Sequence, residues 1–250
     1  VHCVYSAAVS QDRQSLGWPG SINLGAVISH SFTEAREVRE IFPEKKGTLH
    51  VFSGIHCCPR ISQVMIQVLR AKRDFAVISE AFDLRGWKGA ARRARSFLAD
   101  RAVRSAAPLM FVMGKLGVEC FRRLGYRPDR LAPFAYSVAP AAELVVQKPR
   151  PHFTIVFVGQ LIHRKAVDVL LRALGQIKTL PWTLLVIGDG LERGALEALS
   201  LSMGIADRCH FLGNQSNAEV RRVLPSVDLV VLPSRFDGWG AVVNEALAAG

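Results

Sequence analysis

No apolar run in this chain approaches the ~18 residues that a bilayer-spanning helix requires. The opening residues, Val1-His2-Cys3-Val4-Tyr5, have neither the basic stretch nor the long apolar segment of a secretory leader. No initiator methionine stands at position 1, which predicts that the chain begins inside a longer protein. Cysteine is sparse and odd in number: Cys3, Cys57, Cys58, Cys120 and Cys209. No Cys-x-x-Cys or Cys/His spacing suits zinc, so neither a disulfide framework nor a structural metal is expected. Reduced thiols in a cytosolic protein fit best, with the adjacent Cys57-Cys58 packed or incidental. Low-complexity tracts and solenoid-type repeats are also lacking, which excludes a disordered chain or a repeat array.

What is present is core material. The chain has 250 residues, 50% of them hydrophobic, and a mean hydropathy of +0.20, enough for one large domain or two small ones. Charge is spread unevenly. Residues 1–150 carry 23 Lys+Arg and 12 Asp+Glu, a net of 23 − 12 = +11, whereas 151–250 carry 9 of each and balance. The stretch 85–130 alone holds 12 basic and 3 acidic residues, 12 − 3 = +9. This asymmetry points to two units with different partners. The boundary is expected near 140–151, where Gln147-Lys148-Pro149-Arg150-Pro151 reads as a linker. The predicted domains are 1–145 and 146–250.

The second part reads as α/β. Uniformly apolar runs cover 153–158, 182–187 and 227–232, as expected of strands buried on both faces. Between them, Val167, Leu170, Leu171 and Leu174 recur at helical spacing, and 191–203 resembles a second helix stopped at Gly204. Alternating elements of this kind predict right-handed crossovers and a doubly wound parallel sheet. Gly159, Gly188-Asp189-Gly190, Gly213 and Asp237-Gly238 all follow strands, at the edge where such sheets bind ligands. In the first part, strands are predicted over 25–29, 49–52, 75–79, 109–113 and 131–135, with helices over 61–72, 88–105 and 115–124.

The helix over 88–105 places Lys88, Arg92 and Arg95 on one face and Ala91, Ala94 and Leu98 in an apolar stripe, with Trp87 and Phe97 close by. Such a helix can lie on an anionic membrane surface or can simply be a solvated surface helix. Basic patches also attract nucleic acid, but no nucleic-acid-binding motif accompanies this one, so nucleic acid is not an expected partner.

Ten residues near the C-terminus carry the most chemistry: Asp237-Gly238-Trp239-Gly240-Ala241-Val242-Val243-Asn244-Glu245-Ala246. A strand leads through glycines into a predicted helix, with carboxylates at 237 and 245, eight residues apart. Bare N–H groups at the helix mouth and the helix dipole favour an anion there. A carboxylate one or two turns along could accept hydrogen bonds from sugar hydroxyls. A sugar–phosphate ligand fits both features.

Residues 153–250 resemble the nucleotide-sugar-binding domain of retaining GT-B glycosyltransferases of family 4, also called group 1. The stretches that carry the resemblance are Phe157-Val158-Gly159-Gln160-Leu161-Ile162-His163-Arg164-Lys165-Ala166, Val186-Ile187-Gly188-Asp189-Gly190, Cys209-His210-Phe211-Leu212-Gly213, Val230-Val231-Leu232-Pro233-Ser234 and Asp237 to Glu245. Around Met113-Gly114 and Leu124-Gly125-Tyr126 the first part is similar to the family's acceptor-side domain. The resemblance implies an α/β fold of GT-B type, two Rossmann-like doubly wound domains facing a cleft that holds the donor. Both domains look truncated against that pattern: the usual first strand and glycine loop are not evident, and the family's C-terminal domain continues beyond the position of Gly250.

The resemblance also assigns roles. Lys165 would reach the donor diphosphate with help from Arg164, beside Gly159. Gly238 and the amides of Trp239, Gly240 and Ala241 would hold the diphosphate or the sugar. Glu245 would accept from the ribose hydroxyls, and Asp237 would contact donor-sugar hydroxyls. Three positions depart from the pattern: Asp237 stands where Glu is usual, Gln160 where Arg is common, and Ala166 where Gly is usual. On the acceptor side the family often supplies a histidine. His30, His50 and His56 are candidates, with His56 favoured as the third catalytic group beside Lys165 and Asp237. Glu80 could contact an acceptor hydroxyl or pair with Arg85.

The expected function is therefore a hexosyl-type transferase, dependent on a nucleotide-diphosphate sugar and needing no metal or other cofactor. It would act on a lipid-linked or cell-surface polysaccharide acceptor, in the cytoplasm and peripherally at the inner face of the cell membrane. Other readings are a non-catalytic nucleotide-sugar-binding partner subunit, suggested by the three departures, and a GT-B-like epimerase or phosphorylase.

Overall fold

The computed structural model describes residues 2–5, 28–31, 49–56, 59–106, 108–135 and 153–250. They fall into two compact units, one holding the described residues up to 135 and the other those from 153. The predicted linker, the pair Cys57-Cys58 and most of the predicted strand at 25–29 lie outside the described residues.

In the first unit, β1 (His2–Tyr5) pairs in parallel with β2 (Ile28–Ser31). A four-stranded parallel sheet runs in chain order through β3 (His50–Ser53), β4 (Phe75–Ser79), β5 (Leu109–Met113) and β6 (Leu131–Phe134). Helix α1 (Pro59–Arg70) joins β3 to β4, and α4 (Gly114–Arg123) joins β5 to β6. Two helices, α2 (Gly86–Ala99) and α3 (Arg101–Ala106), stand where the sequence suggests one. The break falls at Asp100, whose buried carboxylate accepts a 2.6 Å hydrogen bond from His56 Nε2. Arg104 compensates for the interrupted ladder by donating from its guanidinium to the carbonyls of Ser96 and Phe97 in the last turn of α2. The Ser96 carbonyl also keeps its ladder bond from the Asp100 amide, at 3.0 Å.

Helix α2 packs through its smallest side chains. Gly89 and Ser96 are buried, and a Cβ at Gly89 would overlap the Leu84 backbone. The helical repeat then turns Trp87, Ala91, Ala94 and Leu98 outward on the opposite side. Trp87 is 77% exposed and Leu98 82%. The predicted apolar stripe exists, but it faces solvent.

The second unit is a parallel sheet in the order β10-β7-β8-β9, with β7 (Phe153–Val158), β8 (Trp182–Ile187), β9 (Cys209–Gly213) and β10 (Leu229–Val230). Alternate side chains of β7 serve opposite faces. Ile155 and Phe157 join one core with Leu184, Val186, Leu171 of α5 (Val167–Gln176) and Leu196 of α6 (Arg193–Ser202). Val156 joins the other with Ile187, Val220 of α7 (Asn217–Val223) and Ala249 of α8 (Ala241–Ala249). Helices thus cover both faces, as a doubly wound sheet requires. Cys209 is buried, and desolvation pushes its thiol up to about 11, so it serves as packing and not as a nucleophile.

The strand predicted over 227–232 is much shorter. Only Leu229 and Val230 pair, with Ile155 and Val156 of β7, and Leu229 is 44% exposed. Among the described residues β10 is an edge strand, so its apolar run does not signify burial on both faces. Chain order steps outward from β7 to β8 to β9, then returns to the far side of β7 for β10. That reversal is a topological switch point, the place on the carboxyl edge where doubly wound sheets bind ligands.

The loops after β7 and β8 approach so closely that only glycine fits. Gly188 has a φ of +129°, and a Cβ there would overlap the Gly159 carbonyl. Gly188→Ala is expected to cost 2 kcal/mol or more, about the range for combined backbone strain and overlap. Urea denaturation checks this; a loss under about 0.5 kcal/mol, the range of neutral surface changes, would show that the loops separate freely.

Candidate functional site

The site is built from the two loops that leave the switch point. After β7 the chain makes a single 3-10 turn, His163–Lys165, and then enters α5 through Ala166. Ala166 adopts φ 56°, ψ 37°, a left-handed conformation that glycine takes more easily. This turn presents Arg164 and Lys165 side by side. After β10 the chain runs through Pro233, Ser234, Arg235 and Phe236 to Asp237, then into α8 with Gly240 as its N-cap. Gly240 has a φ of 75°, and a Cβ there would press on Leu232.

Several bonds lock the two loops together. The Arg235 amide donates to the Arg164 carbonyl at 2.9 Å, and the Arg164 guanidinium donates to the Phe236 carbonyl at 3.0 Å. The Arg235 guanidinium donates to the His163 carbonyl at 2.6 Å. The same group grips Asp168, in the first turn of α5, through two bonds of 3.0 and 2.8 Å. The Arg235 pair holds the Asp168 carboxyl below its ordinary value.

At the centre, Lys165 Nζ donates to Asp237 Oδ2 at 2.6 Å, with both side chains mostly buried, 15% and 19% exposed. The same oxygen has Ser234 Oγ at 3.4 Å and Arg164 at 3.7 Å. The other carboxylate oxygen accepts from the amides of Gly240 at 2.9 Å and Trp239 at 3.3 Å. Burial alone would raise the Asp237 carboxyl; the bond and charge of Lys165 and the two amides outweigh it and hold the pKa below the ordinary value. The amides at the mouth of α8 are therefore not bare, as the glycine pattern suggests. Gly240, the N-cap, has no side chain, and the Asp237 carboxylate holds its amide and that of Trp239, the two that lead into the helix.

Of the residues singled out in the sequence, Gly159, Arg164, Lys165, Asp237, Gly238, Trp239 and Gly240 come together here, with Gly159 lying against the Lys165 stem and Gly238 buried. Ala241 opens α8, and Glu245 lies four residues along it, half-buried and without a side-chain hydrogen bond or ion pair among the described residues. His56 and Glu80 belong to the first unit, at the carboxyl edge of its own sheet, where each follows a strand. His56 is oriented by Asp100, and Arg85 pairs with Asp83, leaving Glu80 exposed. His30 lies in β2 and His50 opens β3. Sequence reasoning missed Asp168, Arg235, Ser234 and Asp100, because their partners stand dozens of residues away or act through a single turn.

Residues 144–250 match the family model described as glycosyl transferases group 1. The chain is 37% identical over 97 residues to an uncharacterized glycosyltransferase of Methanocaldococcus jannaschii, covering 38% of this chain and 25% of that one. It is 35% identical over 133 residues to the lipopolysaccharide core biosynthesis glycosyltransferase LpsD of Rhizobium meliloti, covering 48% and 37% respectively. The chain thus spans between 25% and 37% of the length of these relatives. Among solved structures, that of Anabaena HepE in complex with UDP-glucose superposes with a TM-score of 0.68 at 16% identity, covering 89% of this chain and 65% of that one. This likeness shows the fold, the α/β architecture with two parallel sheets of GT-B glycosyltransferases. Residues 144–250 are thus similar to group 1 glycosyl transferases.

The Asp168–Arg235 pair sets a pH-dependent part of the stability. Its folded carboxyl lies below the unfolded value of about 3.9, so the contribution is complete above that value and is lost as pH falls through the lower folded one. Asp168→Asn is expected to lower the unfolding free energy at neutral pH by about 1 kcal/mol, as for a partly exposed bidentate pair. The deficit should shrink toward zero in acid. Urea titrations across pH 7 to 3 check it; a deficit constant with pH would assign the loss to packing.

Proposed function

We propose that the protein is a retaining glycosyltransferase that moves a sugar from a nucleotide-diphosphate sugar to a lipid-linked or cell-surface polysaccharide acceptor. The observation that carries this reading is the pairing of Arg164 and Lys165 with Asp237 at the switch point of a group 1 domain, with Glu245 farther along the same helix. Two cations on one rigid turn can hold a diphosphate and stabilise the charge that develops on it as the glycosidic bond to the donor breaks. They supply the positive charge that a metal ion supplies elsewhere, so no metal or other cofactor is invoked. Glu245 is assigned to the ribose hydroxyls and Asp237 to those of the donor sugar. His56, oriented by Asp100, and Glu80 are assigned to the acceptor side. A non-catalytic nucleotide-sugar-binding subunit is favoured only by the short Asp237 side chain tied to Lys165, and turnover of a nucleotide-sugar by this chain excludes it.

Titration calorimetry of the protein with UDP, GDP and ADP tests the donor site. One nucleotide is expected to bind saturably, and Lys165→Ala should weaken it by about 1–3 kcal/mol, the worth of a hydrogen bond to a charged group, or ~5- to 150-fold in Kd. Equal binding to both forms would remove Lys165 from the site.

The acceptor assignment includes a membrane. No helix of the described residues is long and apolar enough to cross one, but α2 turns Trp87 and Leu98 outward beside Lys88, Arg92 and Arg95. An interfacial helix needs this combination of cations and exposed apolar side chains. These features support the proposed peripheral attachment, which is assigned to the inner face of the cell membrane. Co-sedimentation with vesicles containing anionic lipid should fall at least severalfold on combining Arg92→Glu with Arg95→Glu, and should fall also for Trp87→Ser with Leu98→Ser. Unchanged association in both would refute the attachment.

A further inference from the structure

We infer that the Asp237 carboxylate is an internal stand-in for the donor phosphate, which must displace it to bind. This deepens the donor-site reading above and rests on it. A phosphate seated at this point would require the Lys165 ammonium, the Arg164 guanidinium and the amides of Trp239 and Gly240 that lead into α8. All four of these groups lie within 3.7 Å of the Asp237 carboxylate here: Lys165 Nζ at 2.6 Å, Gly240 N at 2.9 Å, Trp239 N at 3.3 Å and Arg164 at 3.7 Å. Ser234 Oγ completes the set at 3.4 Å. Two anions cannot share these donors at contact distance without strong repulsion in a site this buried.

Binding and discrimination then become linked. When a nucleotide-sugar enters, its diphosphate takes Lys165 and the amides, and the freed carboxylate accepts hydrogen bonds from the sugar hydroxyls. When a nucleoside diphosphate enters alone, the carboxylate is expelled with nothing to accept, beside the negative charge that expelled it. The site therefore favours the intact donor over the nucleotide left after transfer. Return of Asp237 to Lys165 assists departure of that product. No bond is made or broken in this step; one carboxylate exchanges places with one phosphate. The length of the side chain fits the role. Asp237 reaches the amides of Trp239 and Gly240 from only two and three residues away.

The test is titration of the whole chain with inorganic pyrophosphate and with UDP, GDP and ADP, for wild type, Asp237→Asn and the double variant Asp237→Asn with Lys165→Ala. Asparagine keeps an oxygen for the amides of Trp239 and Gly240 but carries no charge to compete. Circular dichroism confirms that each variant is folded. The expected result is that Asp237→Asn binds pyrophosphate and the accepted nucleotide about tenfold more tightly than wild type. The gain should vanish when Lys165 is also replaced, because the two substitutions act on one interaction. Equal or weaker binding by folded Asp237→Asn overturns the stand-in while leaving the donor site intact. Absence of binding by wild type and variant alike, to all four probes, overturns the donor-site reading and the stand-in together.

Discussion

Strand β10 lies beside β7 and not beyond β9, and the site exists because of that placement. Neighbouring strands are spaced about 4.8 Å apart. Had β10 been added outside β9, its loop would leave the sheet about 14 Å from the loop of β7, three strand spacings away. Lys165 and Asp237 could not then meet. With β10 on the near side, residues 72 apart in sequence share hydrogen bonds along a whole turn: Arg235 with His163, Arg164 with Phe236, Lys165 with Asp237. The reversal also sends α5 and α8 to opposite faces, so the crevice opens between their amino ends. The packing beneath is what holds this arrangement. Phe157 and Val156, adjacent in β7 and both fully buried, each anchor a different core.

The turn that aims Lys165 is held under modest strain. A non-glycine residue in the left-handed region costs roughly 1–2 kcal/mol, and Ala166 sits there. Its methyl group is fully buried, and burying one such group returns about 0.8 kcal/mol. The residual cost is of the order that the Arg235–Asp168 grip supplies. Alanine therefore stands in place of the expected glycine at a modest net cost, which its buried methyl group offsets in part. A cation pair fixed before its ligand arrives loses less side-chain entropy on binding. Stiffness of the turn and the bidentate grip on α5 act toward the same end.

Much of this was legible in the sequence. The strands at 75–79, 109–113, 153–158 and 182–187 lie where their apolar runs lie, because central strands of a parallel sheet are apolar throughout. The run at 227–232 misled because an edge strand with a buried side can be equally apolar. Helix α7 was missed altogether. Its seven residues are too few for a periodic pattern, although Ser216 and Glu219 form a capping box that the sequence displays openly. The break at Asp100 and the grip of Arg235 on Asp168 were not legible, since their partners stand 44 and 67 positions away. The acid at 237 was found by its motif. That it would hold the two amides leading into its own helix was not, because the motif specifies which residues approach the ligand and says nothing of what they hold without it.

The chain contains two physically different means of attracting anions. In the second unit acids and bases balance, so no long-range field draws a ligand. What that unit offers instead is two cations held within 3.7 Å of one carboxylate oxygen in a partly buried place, where screening is weak. In the first unit the stretch 85–130 carries a net 12 − 3 = +9 and most of its basic side chains are exposed. Such charges are screened within about 8 Å at physiological salt, so they act only on a surface that comes close. Close approach is what the exposed Trp87 and Leu98 would reward, since their apolar area gains nothing until it leaves water. A helix that buries glycine and serine and exposes tryptophan and leucine inverts the usual pattern of a globular surface. The inversion costs stability in isolation and is recovered only against an apolar partner. Under the attachment proposed above, charge would draw this surface toward an anionic layer and the stripe would then hold it there.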